Sequence, residues 1–153
     1  MTDDEAKKIL SDIKDKLDRR PYLKYELGDR HILVEKPSEN GFDVGFYVEE
    51  DEFIVGYYGW HEHFGFDEMD RALDCFAFGF SRDCRLKVVS RGKMDYKCIL
   101  EYLEGGEWKW DSEVGVLFKP FWRFLAFPFW RRKQVRYLQN ELQDTETVEK
   151  TNL

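Results

Sequence analysis

The spacing of the hydrophobic residues changes three times along the chain, and these changes constrain the fold more than any other feature. Apolar residues recur at helical intervals in the first 20 residues, alternate with polar residues over 22–60, return to helical spacing over 67–81, and alternate again from Cys84 onward. Helical spacing is typical of a helix with one buried face, and alternation is typical of a half-buried strand. The order helix, strands, helix, strands predicts an α+β fold with a mostly antiparallel sheet.

Both helices have sequence signals at their ends. Thr2 and Glu5 form a capping box at the start of the first helix, and Pro21 ends it. Asp67 is a suitable N-cap for the second helix, which is expected to end near Ser81 because Gly79 weakens its last turn by about 1 kcal/mol. The apolar stripes expected to face the core are Ala6, Ile9, Leu10, Ile13 and Leu17 in the first helix and Met69, Ala72, Leu73, Phe76, Ala77 and Phe80 in the second.

The alternating segments predict two groups of antiparallel strands, one on each side of the second helix. Turn residues separate the strands, as at Gly28, over 37–41 and in the acidic run 49–52. Trp108 and Trp110 are expected on one face of their strand. The predicted strands are a four-stranded antiparallel meander over 22–27, 30–36, 42–48 and 53–58, and a second antiparallel set over 84–91, 94–103, 108–110, 114–118 and 134–139.

The C-terminal segment 114–140 is aromatic and basic, unlike the rest of the chain. It holds six cations and no acid, so the remainder of a chain whose net charge is −7 carries −13. In one interpretation its rings close the core and its cations face the solvent. In the other, rings and cations together form a surface for a membrane interface, an anionic ligand or an acidic partner. The rings are Phe121, Trp122, Phe124, Phe127, Phe129 and Trp130.

The 153 residues are expected to form one α+β domain over 1–142, followed by a disordered polar tail over 143–153. No transmembrane segment is predicted, because charges and prolines interrupt the apolar stretch 114–130, whereas a spanning helix needs about 20 predominantly apolar residues. No signal peptide is recognised, and the odd number of cysteines lacks metal-binding spacing, which predicts free thiols and a cytoplasmic location. The cysteines are Cys75, Cys84 and Cys98.

The run Trp60, His61, Glu62, His63, Phe64 contains two of the three histidines. If the run is extended, His61 and His63 share one face and Glu62 points to the other. A catalytic metal site needs a third ligand, so neither a metal nor another cofactor is predicted. We expect the two histidines on a connection between a strand and the second helix, lining the main pocket beside Trp60.

No nucleotide-binding loop, nucleophile elbow or zinc-finger spacing occurs, so enzymatic activity is disfavoured. The acidic remainder predicts a non-enzymatic binding or interaction module that docks on a basic protein partner, as a small inhibitor or immunity protein does. The alternatives are a small-ligand or metal-dependent site around Trp60, His61 and His63, and a peripheral membrane protein that uses 114–140. Nucleic acid is disfavoured because the net negative charge would repel it. The candidate ligand-binding residues are Trp60, His61, His63, Arg131, Arg132 and Arg136.

Overall fold

The described part of the chain forms two antiparallel sheets and two α-helices around a shared hydrophobic core, which confirms the α+β fold class. The computed structural model describes residues 1–115 and 130–140. The elements are α1 (Asp3–Asp18), β1 (Tyr25–Leu27), β2 (His31–Val34), β3 (Val44–Val48), β4 (Glu52–Tyr57), β5 (Trp60–Gly65), a 3-10 turn (Phe66–Glu68), α2 (Met69–Phe78), β6 (Cys84–Arg91), β7 (Met94–Glu104), β8 (Glu107–Gly115) and β9 (Lys133–Leu138).

Helix α1 has the predicted capping box. The Glu5 amide donates to the Thr2 hydroxyl at 3.3 Å, and the Glu5 carboxylate accepts from the Thr2 amide at 2.8 Å. These bonds satisfy amides that the helix itself leaves without partners. Its predicted stripe faces the core, where four of its side chains are buried: Ala6, Leu10, Ile13 and Leu17.

The first sheet is a meander in the order β1-β2-β3-β4-β5, and all of its neighbours are antiparallel. It has one strand more than predicted, because Trp60–Gly65 pairs with β4 instead of forming a connection. The polar run of β5 obscured this strand in the sequence. Alternation is nevertheless present, since Trp60 and Phe64 are buried while His61 and His63 are exposed.

Helix α2 is shorter at both ends than its sequence pattern predicts. It begins at Met69 with Glu68 at the N-cap, while Asp67 lies in the preceding 3-10 turn. It ends at Phe78, with Gly79 as the C-cap. A Cβ at Gly79 would lie only 2.8 Å from Cε1 of Tyr57 and 3.0 Å from Cγ2 of Val44. The glycine therefore allows the end of the helix to approach the first sheet closely.

The second sheet has the order β8-β7-β6-β9, so the last of the described strands, β9, pairs with β6. The predicted final strand is confirmed. Strand β8 is continuous from Glu107 to Gly115. The sequence instead predicted two separate strands, the second of which would begin at Val114. In its pairing with β7, Leu100 is opposite Ser112 and Glu101 is opposite Trp110. Asp111 therefore has no partner on β7 and forms a β-bulge.

Asn140 fastens the segment after β9 to the loop before β3 and to the end of α2. Its side chain is fully buried, and its Oδ1 accepts from the Phe42 amide at 2.8 Å. Its Nδ2 donates to the carbonyl oxygens of Phe42 and Gly79 at 2.9 and 3.0 Å. A buried amide is stabilising only when its donors and acceptor are paired, as they are at this position.

Several sequence predictions fall on residues 116–129 and 141–153 and lie outside the described residues. They include part of the strand 114–118, the tail 143–153, and five of the six rings proposed to close the core. The sixth, Trp130, is exposed, so the core interpretation is wrong for this residue. Within residues 1–115 and 130–140, no helix is long and apolar enough to cross a membrane.

Candidate functional site

The two neighbouring histidines lie on the outer face of the first sheet, the face turned away from both helices. His61 and His63 share this face, as predicted for an extended segment, with their ring centroids 5.2 Å apart. Nδ1 of His63 lies 2.8 Å from Oε1 of Glu52 on the neighbouring strand. Neither histidine lines a described cavity. The expectation that they line the main pocket is not met by any described cavity, because the strand directs both rings away from these cavities.

No three His, Cys, Asp or Glu side chains are arranged to hold a metal ion in the part of the chain that the structure describes. The group made by His61, His63 and Glu52 is therefore not arranged to hold a metal ion. A ligand-binding role for His61 and His63 stays a prediction, made from their shared, exposed face.

Trp60 lies in the core at the start of β5. Its indole stacks on the Tyr57 ring, with centroids 4.9 Å apart and an interplanar angle of 25°. Its Nε1–H donates to the Ser112 hydroxyl at 2.9 Å, which joins β5 of the first sheet to β8 of the second. The buried indole, 2% exposed, thus connects the two sheets.

The residue between the two histidines occupies a different environment. Glu62 points to the inner side of β5, where it lines a cleft of about 480 Å³ between α2 and the second sheet. One helix, three strands and both sheets contribute to this cleft. Its lining residues are Glu62 from β5, Asp74, Cys75 and Phe78 from α2, Leu100 and Tyr102 from β7, and Asp111 from β8.

Local structure explains why these side chains converge. Asp74 and Phe78 are four residues apart and therefore lie on one face of α2. Leu100 and Tyr102 are two residues apart and share one face of β7. Asp111 is the unpaired residue of the β-bulge, and a bulge commonly redirects a side chain next to a binding site.

Three carboxylates surround this cleft, and none of its described lining residues is basic. The pKa of Glu62 is raised above its ordinary value, chiefly by burial and then by the negative charge of Asp111. Arg71 opposes this shift, but its guanidinium pairs with Glu68. The described lining residues therefore place negative charge beside apolar walls.

The thiol of Cys75 also faces the cleft. Burial raises its pKa to about 11, although a hydrogen bond with Tyr57 acts in the opposite direction. A thiol with this pKa is protonated at neutral pH, and the protonated form is a poor nucleophile and a poor metal ligand. Binding of a cation is consequently better suited to the cleft than thiol chemistry.

The three candidate arginines do not form one site. Arg136 is held by Asp95, whose two carboxylate oxygens lie 2.7 and 2.6 Å from its Nη1 and Nη2, and by the Tyr58 hydroxyl at 2.8 Å. This contact joins β9 to β7 and to the turn between β4 and β5. Arg131 and Arg132 lie just before β9 and are exposed. Arg136 thus has a structural connection, whereas Arg131 and Arg132 extend into the solvent.

The outer face of the second sheet combines exposed rings with cations. Trp108 and Trp110 share this face of β8, as predicted, with Val135 and Tyr137 on β9. The Arg85 guanidinium lies between two rings, 4.1 Å from the centroid of Trp108 and 4.3 Å from that of Tyr137. These contacts hold the rings in fixed positions across four strands.

Sequence reasoning found the histidines and the exposed basic residues but missed the carboxylates of the cleft. Asp74 and Asp111 resemble ordinary surface acids when only their neighbours in sequence are considered. The sequence did contain a signal for Glu62. In an extended strand Glu62 points away from His61 and His63, so it lies on the opposite face from these two polar residues.

The chain was compared with protein-family models, curated proteins and solved structures, and none of the three comparisons gave a match.

Proposed function

We propose that this protein is a non-enzymatic binding module that docks on a basic partner, and that the cleft lined by Glu62, Asp74 and Asp111 receives a lysine or arginine side chain. The observation that carries the proposal is the group of three carboxylates around an apolar-walled cleft whose described lining residues include no basic side chain. An incoming cation would supply the missing positive charge. The pKa of Glu62, raised by burial and by Asp111, would then fall as the cation binds.

The walls of the cleft suit the remainder of such a side chain. Lysine and arginine carry an apolar stem that packs against apolar surface while the charged end remains hydrated or paired. Phe78, Leu100 and Tyr102 offer this surface beside the three acids. A simple cation would use only the carboxylates, so the combination favours a side chain over a metal ion.

The charge of the whole chain supports the same partner. The chain has a net charge of −7, which would accelerate its encounter with a basic protein and slow its encounter with an acidic one. The encounter rate should therefore fall as salt is added. A cytoplasmic location, expected from free cysteines, stays part of the proposal.

The direct test is a titration with a hexalysine peptide, followed by amide chemical shifts. We expect shifts around the cleft, and affinity about tenfold lower in the double variant Glu62→Gln with Asp111→Asn, the loss expected for about 1.4 kcal/mol. The matched control is Glu50→Gln with Asp51→Asn, which removes the same charge from the exposed turn between β3 and β4. Equal loss of affinity in both double variants, or shifts confined to residues outside the cleft, would contradict the proposal.

A further inference from the structure

We propose that the outer face of the second sheet, together with the corner formed by Trp130, Arg131, Arg132 and Lys133, docks on the surface of an anionic lipid bilayer. This face is called the aromatic–basic face below, and its ring-bearing strands are β8 and β9. It is separate from the acidic cleft, which opens on the other face of the second sheet.

Exposed apolar side chains are concentrated on the aromatic–basic face. Four of the seven large hydrophobic side chains that are exposed in the described residues lie on it. Their exposed fractions are 62% for Trp110, 77% for Trp130, 43% for Val135 and 49% for Tyr137. Folding leaves these side chains in water, so their burial remains available to a binding event.

The register of the sheet explains this arrangement. Lys133, Val135 and Tyr137 alternate along β9 and therefore point to one side. Strand β9 lies at the edge of the sheet, and five of its six residues are exposed. Trp130 and the two arginines continue this strip beyond the start of the strand.

The unpaired charges of the described aromatic–basic face are positive. Its two acids are already paired, Glu101 with Arg85 at 2.7 Å and Glu113 with Lys97 at 2.6 Å. In contrast, Arg131, Arg132 and Lys133 have no ion-pair partner within the described residues. Three adjacent cations thus stand beside an exposed indole, and no carboxylate of residues 1–115 or 130–140 pairs with them.

A lipid surface fits this chemistry better than a small anion. Tryptophan and tyrosine favour the boundary between lipid and water, because each ring is largely apolar but carries one polar group. Lysine and arginine are attracted to the negative surface of the same boundary. The remaining, acidic part of the molecule would be repelled, which would turn the aromatic–basic face toward the bilayer.

The test is co-sedimentation of the full chain with vesicles of phosphatidylserine and phosphatidylcholine in equal amounts at low salt. We expect binding to these vesicles, loss of binding on pure phosphatidylcholine, and weaker binding as salt is added. The double variant Arg131→Ala with Arg132→Ala should bind at least about tenfold more weakly. Trp130→Ala should also weaken binding, and this loss should depend less on salt.

The matched control is Lys7→Ala with Lys8→Ala, which removes two exposed cations from α1. It should bind the mixed vesicles as the unmodified chain does, and circular dichroism should show that all variants remain folded. The proposal is overturned if the unmodified chain does not sediment with the mixed vesicles at low salt, or if the control loses as much binding as the arginine variant. Binding of heparin without binding of vesicles would instead indicate a soluble polyanion and would also overturn it.

Discussion

The outer faces of the two sheets differ in what they expose. On the first sheet the Tyr47 ring lies over Gly45, where an added Cβ would be 2.5 Å from the ring, and the ring stacks on His31 with centroids 5.8 Å apart. This arrangement covers the backbone with a half-buried ring, and the exposed strand residues on this face are polar: Glu26, His61 and His63. The second sheet instead exposes Trp110 and Tyr137 beside cations. Both sheets share a core, so packing alone does not explain the difference.

The two sheets differ in how many of their apolar side chains folding buries. The first sheet is built from consecutive strands, and most of its large apolar side chains are buried in the core. The second sheet is completed by β9, which comes from the end of the chain and carries exposed apolar side chains. Exposed rings cost free energy in water unless another surface covers them, so the second sheet is the better candidate for docking.

The largest expected effect comes from breaking the connection between the two sheets at Asn140. Asn140→Ala removes three buried hydrogen bonds and leaves backbone groups of Phe42 and Gly79 without these partners. We expect the free energy of unfolding to fall by about 2–3 kcal/mol, measured by urea denaturation. Gln139→Ala is the control, because the Gln139 side chain makes only an exposed hydrogen bond, to the carbonyl oxygen of Arg82. A loss of similar size in both variants would show that the Asn140 side chain contributes no more to stability than its exposed neighbour.

The next effect tests how tightly the first sheet is packed compared with the second. Gly79→Ala should destabilise the protein by about 1–2 kcal/mol, because overpacking against Tyr57 and Val44 outweighs the better helix propensity of alanine. Gly115→Ala, at the end of β8, adds a methyl group that meets no atom of the described residues within 4 Å. Thermal unfolding should show a change only for the first variant. A stabilised Gly79→Ala variant would mean that helix propensity dominates at this contact.

A smaller effect is expected at the cleft, where the two sheets meet. The pKa of Glu62 is raised on folding, so its ionisation costs stability above that raised pKa and costs nothing below the ordinary glutamate pKa. Glu62→Gln should therefore increase the free energy of unfolding by less than about 1 kcal/mol at neutral pH, and the gain should disappear as the pH falls to about 3. Urea titrations at both pH values measure this. A variant that is less stable at neutral pH would give Glu62 a structural role.

In that experiment Glu50→Gln is the matched control. Glu50 lies in the exposed turn between β3 and β4, so its substitution should leave stability nearly unchanged at either pH. The hexalysine titration of Glu62→Gln and Glu50→Gln distinguishes an effect on binding from an effect on stability. Glu62→Gln should weaken peptide binding while the folded state becomes more stable.

The smallest effect is expected on the outer face of the first sheet. His61→Ala with His63→Ala should change stability by no more than about 0.5 kcal/mol, because both rings are exposed and lie outside the core. We also expect a chelator to leave the Tm unchanged, since two imidazoles without a convergent third ligand hold zinc weakly. Stoichiometric zinc that survives dialysis and is lost in the double variant would make this face a metal site.

Much of the architecture was readable from the sequence because its signals are local. The capping box and stripe of α1 lie within one short segment, and the order of helices and strands follows from hydrophobic spacing. The shared face of His61 and His63 required only that β5 be extended. Each of these features depends on residues a few positions apart, where backbone geometry determines which side chains are neighbours.

Tertiary structure decided what the sequence left open. Trp60–Gly65 became a strand because it pairs with β4, and the acids of the cleft come from β5, α2 and a bulge in β8. Hydrophobic spacing does not encode such convergence, because it records which face a side chain occupies and not what lies opposite that face. The same reason explains Trp130, whose aromatic surroundings were consistent with either a core or a surface position. Its exposure is a property of the assembled sheets and not of the segment that contains it.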